Sequence, residues 1–457
     1  MVKSYSLTDL DNTKVGVGII SIMVLVGLGS FLDGYDLLNI SNALPFLSSS
    51  FTVTPLVKGL IGYVAYGGGI IGAVGFGFFA DKIGKRTIFV IDLLFFLLGS
   101  LLSAFSTNGY ELVAFRLFIG IGIGSDIVTA PILLGDMSPS KRRGILMGTS
   151  AAMWPIGALA SVGVTYVLVS AGVSAFIVWR LILGLAVIPA IAVIILRRRV
   201  PESPRWLLSQ GRTDDYKRVM SKLLMVTPEE ISIPEKRKKV SLKKLFTSYR
   251  RPTIYSVIAW VIAGSVPISA YIPTLLIEVG HLKEIGALGF TAIYWSAALL
   301  GVAVAALLSD RIGRKFFFGL AVMIMVVADI VFGLSFKTMT ALDLGVIGAF
   351  INFGDFLCVA VAYTIQSEVF PANLRSTGGG LGFGVNRFDN FILGTFLPIF
   401  LAAGLLGSYV IYIGIAIFIL MIIALYYGKE TKRLSLETIG LEETDQGGIK
   451  PEEVGSK

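Results

Sequence analysis

Asp81-Lys-Ile-Gly84-Lys-Arg86 follows a long apolar run, and the same pattern returns later as Asp310-Arg-Ile-Gly313-Arg-Lys315. Outward from it, Asp136-Met-Ser-Pro139 leading to Arg143 returns as Glu368-Val-Phe-Pro371 leading to Arg375. Pro201-Glu202-Ser returns as Lys429-Glu430-Thr. Three pairs at nearly equal spacing mark two structural repeats. Between these marks run apolar segments of about 20 residues or more, enough to cross a hydrocarbon core. They lie near 15–44, 56–80, 87–107, 110–136, 144–171 and 175–196, then near 252–279, 287–309, 316–336, 340–369, 376–403 and 407–427. Backbone groups in lipid must be paired within their own segment, so each is a helix. The pattern predicts an all-α membrane protein with twelve transmembrane helices in two six-helix pseudo-repeats. The bundles cover 1–198 and 252–430, with a linker over 199–251 and a tail over 431–457.

The composition agrees. Of 457 residues, 55% are hydrophobic and 15% charged, against roughly 25% charged in soluble domains. Lipid is therefore the solvent, and the bilayer is a partner. The net charge of +9 sits in one set of loops, at Lys82, Lys85 and Arg86, at Lys141 to Arg143, at Arg311, Arg314 and Lys315, and across the linker. Such asymmetry places the linker and both termini in the cytoplasm. It marks a multi-pass protein of the cytoplasmic membrane, not a nucleic-acid binder, and we expect it to act as a monomer. One histidine and one cysteine leave no set for a metal or for a Ser-His-Asp arrangement. Gly67-Gly-Gly69-Ile-Ile-Gly72 has dinucleotide-like spacing, but it lies inside a spanning helix with no strand before it, so it is close-packing glycine. No enzyme, cofactor or metal is expected.

Chemistry concentrates in the first span, Gly29-Ser-Phe-Leu-Asp33-Gly-Tyr-Asp36-Leu-Leu-Asn39-Ile-Ser-Asn42. An acid in hydrocarbon is kept only where it faces a cavity or a partner. Asp33 and Asp36 share a helix face and have no counterpart in the second half, where the repeat places Ala263 and Val266. They are candidate proton carriers, and Asp126 beside a glycine run is a third. The plain alternative is a structural pair in a kinked helix. Arg387 is the strongest intramembrane cation and is suited to a carboxylate or phosphate. Its alternative is an ion pair with Asp389 or Asp355. Tyr35, Asn39, Tyr271, Asp355 and Asn386 are further candidates for the substrate wall. Asp81, Arg86, Asp136, Arg143, Asp310, Glu368 and Arg375 sit at helix ends, where ion pairs of modest strength would act as gates.

At this level the chain resembles the major facilitator superfamily. Gly77-Phe-Phe-Ala-Asp81-Lys-Ile-Gly84-Lys-Arg86 is similar to its loop motif between helices 2 and 3, with Ala306 replacing the leading glycine in the second copy. Arg116…Gly120-Ile-Gly122-Ile-Gly124 resembles its fourth-helix pattern. Pro201-Glu-Ser-Pro-Arg205-Trp-Leu-Leu208 resembles the sugar porter and organic-ion branches. Asp33-Gly-Tyr-Asp36 and Tyr271-Ile-Pro-Thr-Leu-Leu276 are similar to the aromatic-acid:proton symporters, and Gly122-Ile-Gly124-Ser-Asp126 to the phosphate:proton symporters. The resemblance implies alternating access about a site between helices 1, 4, 7, 10 and 11, and an arginine in helix 11 that meets an anion. The expected function is proton-coupled symport of a small organic anion such as an aromatic carboxylate. Phosphate:proton or sugar:proton symport, an uncoupled facilitator and a transporter-like sensor are the alternatives.

Overall fold

The computed structural model describes residues 5, 7–13, 16–139, 143–233, 243–370, 375–428 and 430. The first bundle holds α1 (Val17–Ala43), α2 (Pro55–Ile83), α3 (Lys85–Ala104), α4 (Gly109–Met137), α5 (Arg143–Ser170) and α6 (Ala175–Arg197). The second holds α7, in two pieces Arg250–Ile262 and Ile272–Glu278, then α8 (Glu284–Ile312), α9 (Arg314–Ser335), α10 (Ala341–Glu368), α11 (Arg375–Ala402) and α12 (Leu406–Tyr427). Among the described residues, ten helices are long and apolar enough to cross a membrane by themselves. The other two crossings are α7, which is broken, and α11, which carries Asn386, Arg387, Asp389 and Asn390. Large apolar side chains such as Val74, Leu334 and Tyr412 stand outward around the bundles, as a lipid-facing belt requires.

Glycine sets the approach of the helices. A Cβ on Gly34 would overlap the Trp154 carbonyl, and one on Gly157 would overlap that of Phe31, so α1 and α5 touch backbone to backbone. Gly68, Gly72, Gly120 and Gly124 do the same for α2 and α4. This is the close approach that small residues give membrane helices. Between the bundles, Gly59 of α2 lies against the Thr395 carbonyl of α11, and Trp154 of α5 packs on Trp295 of α8 at 5.3 Å.

The break in α7 has a cause in sequence. Gly264 adopts φ +92°, a conformation that costs glycine little. The backbone groups freed by the break are then satisfied by side chains. Asn386 Nδ2 donates to the carbonyls of Trp260 and Ala263 at 2.8 and 2.6 Å. The Gly264 N–H donates to Asp355 Oδ1, and Ser265 Oγ donates to Asp389 Oδ2 at 2.6 Å.

The linker carries its own small apolar cluster. Helices Pro204–Ser209 and Thr213–Leu224 pack Trp206, Leu207, Tyr216 and Met220 against Leu10 of the helix Leu7–Asn12. Tyr5 N–H donates to the Glu230 carbonyl at 2.7 Å, and Ser232 N–H to that of Tyr5 at 2.8 Å, which ties the N-terminal segment to the linker.

Candidate functional site

The two bundles are sealed together on the face opposite the linker. Tyr63 of α2 donates its hydroxyl to the Pro267 carbonyl at 2.6 Å and stacks on Tyr271. The Tyr271 hydroxyl donates to the Lys58 carbonyl at 3.3 Å, and Lys58 Nζ pairs with Glu278 at 2.8 Å. Toward the linker face the seam opens into a crevice of about 40 Å³ among Pro131 of α4, Trp260 of α7, Tyr363 and Gln366 of α10 and Phe383 of α11. That volume admits only a few waters. Four of the five helices expected around the centre line it.

At the head of the crevice Arg387 is buried, with its guanidinium over the rings of Tyr66 at 4.9 Å and Phe383 at 4.4 Å. Its Nε has no hydrogen-bond partner, and among the described residues it forms no ion pair. The expected alternatives are thus accounted for: Asp355 and Asp389 serve the α7 break instead. Across the seam, Asp33 is 4% exposed and has neither a hydrogen bond nor an ion pair among the described residues. The two charges lie close enough to interact. One belongs to each bundle.

Asp33 and Asp36 do not behave as a dyad. Arg116 of α4 donates Nη1 to Asp36 Oδ2 at 2.8 Å, and both side chains are fully buried. Asp33, a turn earlier, faces the opposite group: Arg197 Nη1 and Nη2 bind the two oxygens of Asp126 at 2.8 and 2.9 Å, and Nη1 reaches Asp92 Oδ1 at 3.4 Å. The sequence pattern marks Arg116 only as part of a fourth-helix motif and singles out neither Arg197 nor Asp92. The signals were there: an Arg within the apolar run of α4 and an Asp within that of α3.

The remaining candidates divide. Tyr35 is buried near the centre and stacks on Phe31. Asn39 Oδ1 accepts from Ser161 Oγ at 2.7 Å, and Asn42 Nδ2 donates to the same hydroxyl, so this stripe binds α1 to α5, while Asn39 Nδ2 and Asn42 Oδ1 are left without partners. Asp355 and Asn386 are engaged by the α7 backbone, and Tyr271 belongs to the seal. Each of these four has a structural partner: Asn39 the Ser161 hydroxyl, Asp355 and Asn386 the α7 backbone, and Tyr271 the Lys58 carbonyl. Of the gating set, Asp136 takes Lys85 Nζ at 2.8 Å and the Ser203 hydroxyl, and Arg86 donates Nη2 to the Arg198 carbonyl at 2.6 Å. The side chains of Asp81, Arg143, Asp310, Glu368 and Arg375 lie outside the described residues. Two residues noted only as repeat marks have a matching role. Glu202 accepts from the N–H groups of Lys85 and Arg86 at the start of α3, and Glu430 from those of Arg314 and Lys315 at the start of α9.

Comparison with known proteins fits this architecture. The chain is 30% identical over 432 residues to the inner membrane metabolite transport protein YgcS of Escherichia coli, covering 89% of this chain and 91% of that one. It is 25% identical over 449 residues to the niacin transporter NiaP of Acinetobacter baylyi, covering 95% and 99%. The structure of XylE, a major facilitator superfamily proton:xylose symporter, bound to 6-bromo-6-deoxy-D-glucose, matches with a TM-score of 0.78 over 93% of this chain and 98% of that one, at 21% identity. That likeness is one of fold. The whole-chain matches give no support to the resemblance to aromatic-acid and phosphate symporters taken from single helices. Short signatures such as Asp33-Gly-Tyr-Asp36 report how α1 holds its acids, and Pro201-Glu-Ser-Pro-Arg205 was the better guide to the branch. With a model for "Sugar (and other) transporter" matching residues 22–442, the chain belongs to that family of membrane transporters and is not an enzyme.

Proposed function

We propose that the protein is a proton-coupled symporter of a small sugar or related polar metabolite, working by alternating access with its linker face in the cytoplasm. The family match supports the substrate class, and the kinship in fold with a proton:xylose symporter supports the coupling. The observation that carries the mechanism is the pair of unneutralised charges on opposite bundles, Asp33 and Arg387. Their attraction draws the bundles together. A proton on Asp33 removes that attraction and lets the bundles rock. Asp36, locked to Arg116, holds α1 against α4 and supplies a fixed charge pair beside the moving one. Asp126 is held by Arg197 within reach of Asp33. Lys58 with Glu278 closes the outer side, and Lys85 with Asp136 braces the linker side.

A second reading is favoured by Arg387 itself. A buried arginine without a counter-ion is suited to a carboxylate, so a small organic anion would fit the same site. Proteoliposome uptake of labelled sugars, sugar acids and aromatic carboxylates, with and without an inward proton gradient, tests both. Sugar accumulation that requires the gradient supports the first reading, and gradient-driven accumulation of carboxylates alone supports the second. Equilibration that ignores the gradient makes the protein a facilitator.

A further inference from the structure

Inside the first bundle three carboxylates share one guanidinium. Arg197, at the end of α6, is bidentate to Asp126 of α4 and reaches Asp92 of α3. Asp33 of α1 lies within electrostatic reach of all three. Each of the four is at least 95% buried. Two features are unexplained by packing. Asp92 Oδ2 has no hydrogen-bond partner, and Asp33 makes neither a hydrogen bond nor an ion pair among the described residues and meets Arg197 and Arg387 only at longer range. Asp92 and Asp126 also meet the same Arg197 Nη1, at 3.4 and 2.8 Å. Like charges crowded onto one guanidinium nitrogen repel each other, and a proton on Asp92, whose second oxygen is free, relieves that repulsion.

Charge counting extends the point. Asp36 and Arg116 balance one to one. The Arg197 group, fully ionised, would bury two excess negative charges. Among the described residues, Arg387 is the cation that faces it from the second bundle and offsets a single charge, and the neighbouring Tyr66 and Tyr363 hydroxyls offset none. A buried carboxyl without a counter-charge takes up a proton. We infer that Asp33, Asp92 and Asp126 around Arg197 form a proton store, with Asp92 as a resident proton site and Asp33 taking a second proton when Arg387 turns away. The proton on Asp92 bonds to Oδ2, the oxygen without a hydrogen-bond partner, and it comes from water. Its use in transport rests on the proton-coupled reading above, whereas the store itself does not.

Infrared spectroscopy of the purified full-length protein in lipid, at neutral pH, tests the store without substrate or gradient. Wild type should show protonated-carboxyl absorption, part of which is lost in Asp92→Asn and shifted in Asp126→Asn, while Asp36→Asn leaves it unchanged. Melting temperatures of the variants close to wild type would show that they fold. A spectrum of Asp92→Asn that keeps the whole wild-type absorption overturns the inference. So does wild type with no such absorption, which needs no variant. Loss of the band in Asp92→Asn together with gradient-independent uptake would uphold the store and refute the coupling.

Discussion

The Arg197 guanidinium is pressed against Gly29 so closely that a single added carbon at position 29 would overlap both it and the Asp126 carboxylate. Gly29 and Asp33 are one turn apart on the same face of α1. The glycine is therefore what lets the ion pair sit beside Asp33. Gly29→Ala should lower stability by about 1–3 kcal/mol, as overpacking does, and should weaken coupling as well. Thermal unfolding in detergent and gradient-driven uptake would report the two effects. An alanine variant with wild-type behaviour in both would mean that the pair can move aside at no cost.

Arg116 and Asp36 are a fully buried pair. Removing one partner strands the other charge, at a cost of about 3–5 kcal/mol, whereas replacing both costs much less. Arg116→Met should therefore destabilise the protein more than Arg116→Met combined with Asp36→Leu. A double variant as unstable as the sum of the singles would show that the two groups act independently.

Lys58 and Glu278 join the bundles on the outer side and are partly exposed, 21% and 49%. Their pairing is worth at most about 1 kcal/mol. Glu278→Gln should leave melting almost unchanged yet raise the outward-open population. In a background with Cys358 replaced, Ser41→Cys lies under the seal and should react faster with an aqueous thiol reagent once Glu278 is neutralised. Equal labelling rates would place the outer gate elsewhere.

Much of this architecture was legible in the chain. Lipid demands long apolar helices, so the crossings, the repeat and the basic face could be read directly. The break in α7 was not, because its cause is distributed: Gly264 and Pro267 weaken the helix, and Asn386, Asp355 and Asp389 from other helices stabilise the gap. Asn386 and Asp355 looked like a substrate site for the same reason that they suit a broken helix, since both tasks need buried polar groups. Arg197 did not stand out because a basic residue at a helix end looks like an anchoring charge. Only the packing of α1, α3 and α4 shows it turned inward.

Glu202 and Glu430 cap α3 and α9 through backbone N–H groups beside Gly84 and Gly313, whose φ values are +107° and +113°. A carboxylate at a helix N-terminus stabilises it by roughly 0.5–2 kcal/mol. Glu202→Ala and Glu430→Ala should each cost that much. Their effects should add, since distant sites are independent. Melting shifts of the single and double variants would check this, and strong non-additivity would mean that the two caps communicate.

The most direct test of the account is made at Asp33, with counterflow and gradient-driven uptake compared in the same proteoliposomes. Asp33→Asn should abolish accumulation driven by a proton gradient while retaining exchange of labelled for unlabelled substrate. Wild-type accumulation by Asp33→Asn would contradict it.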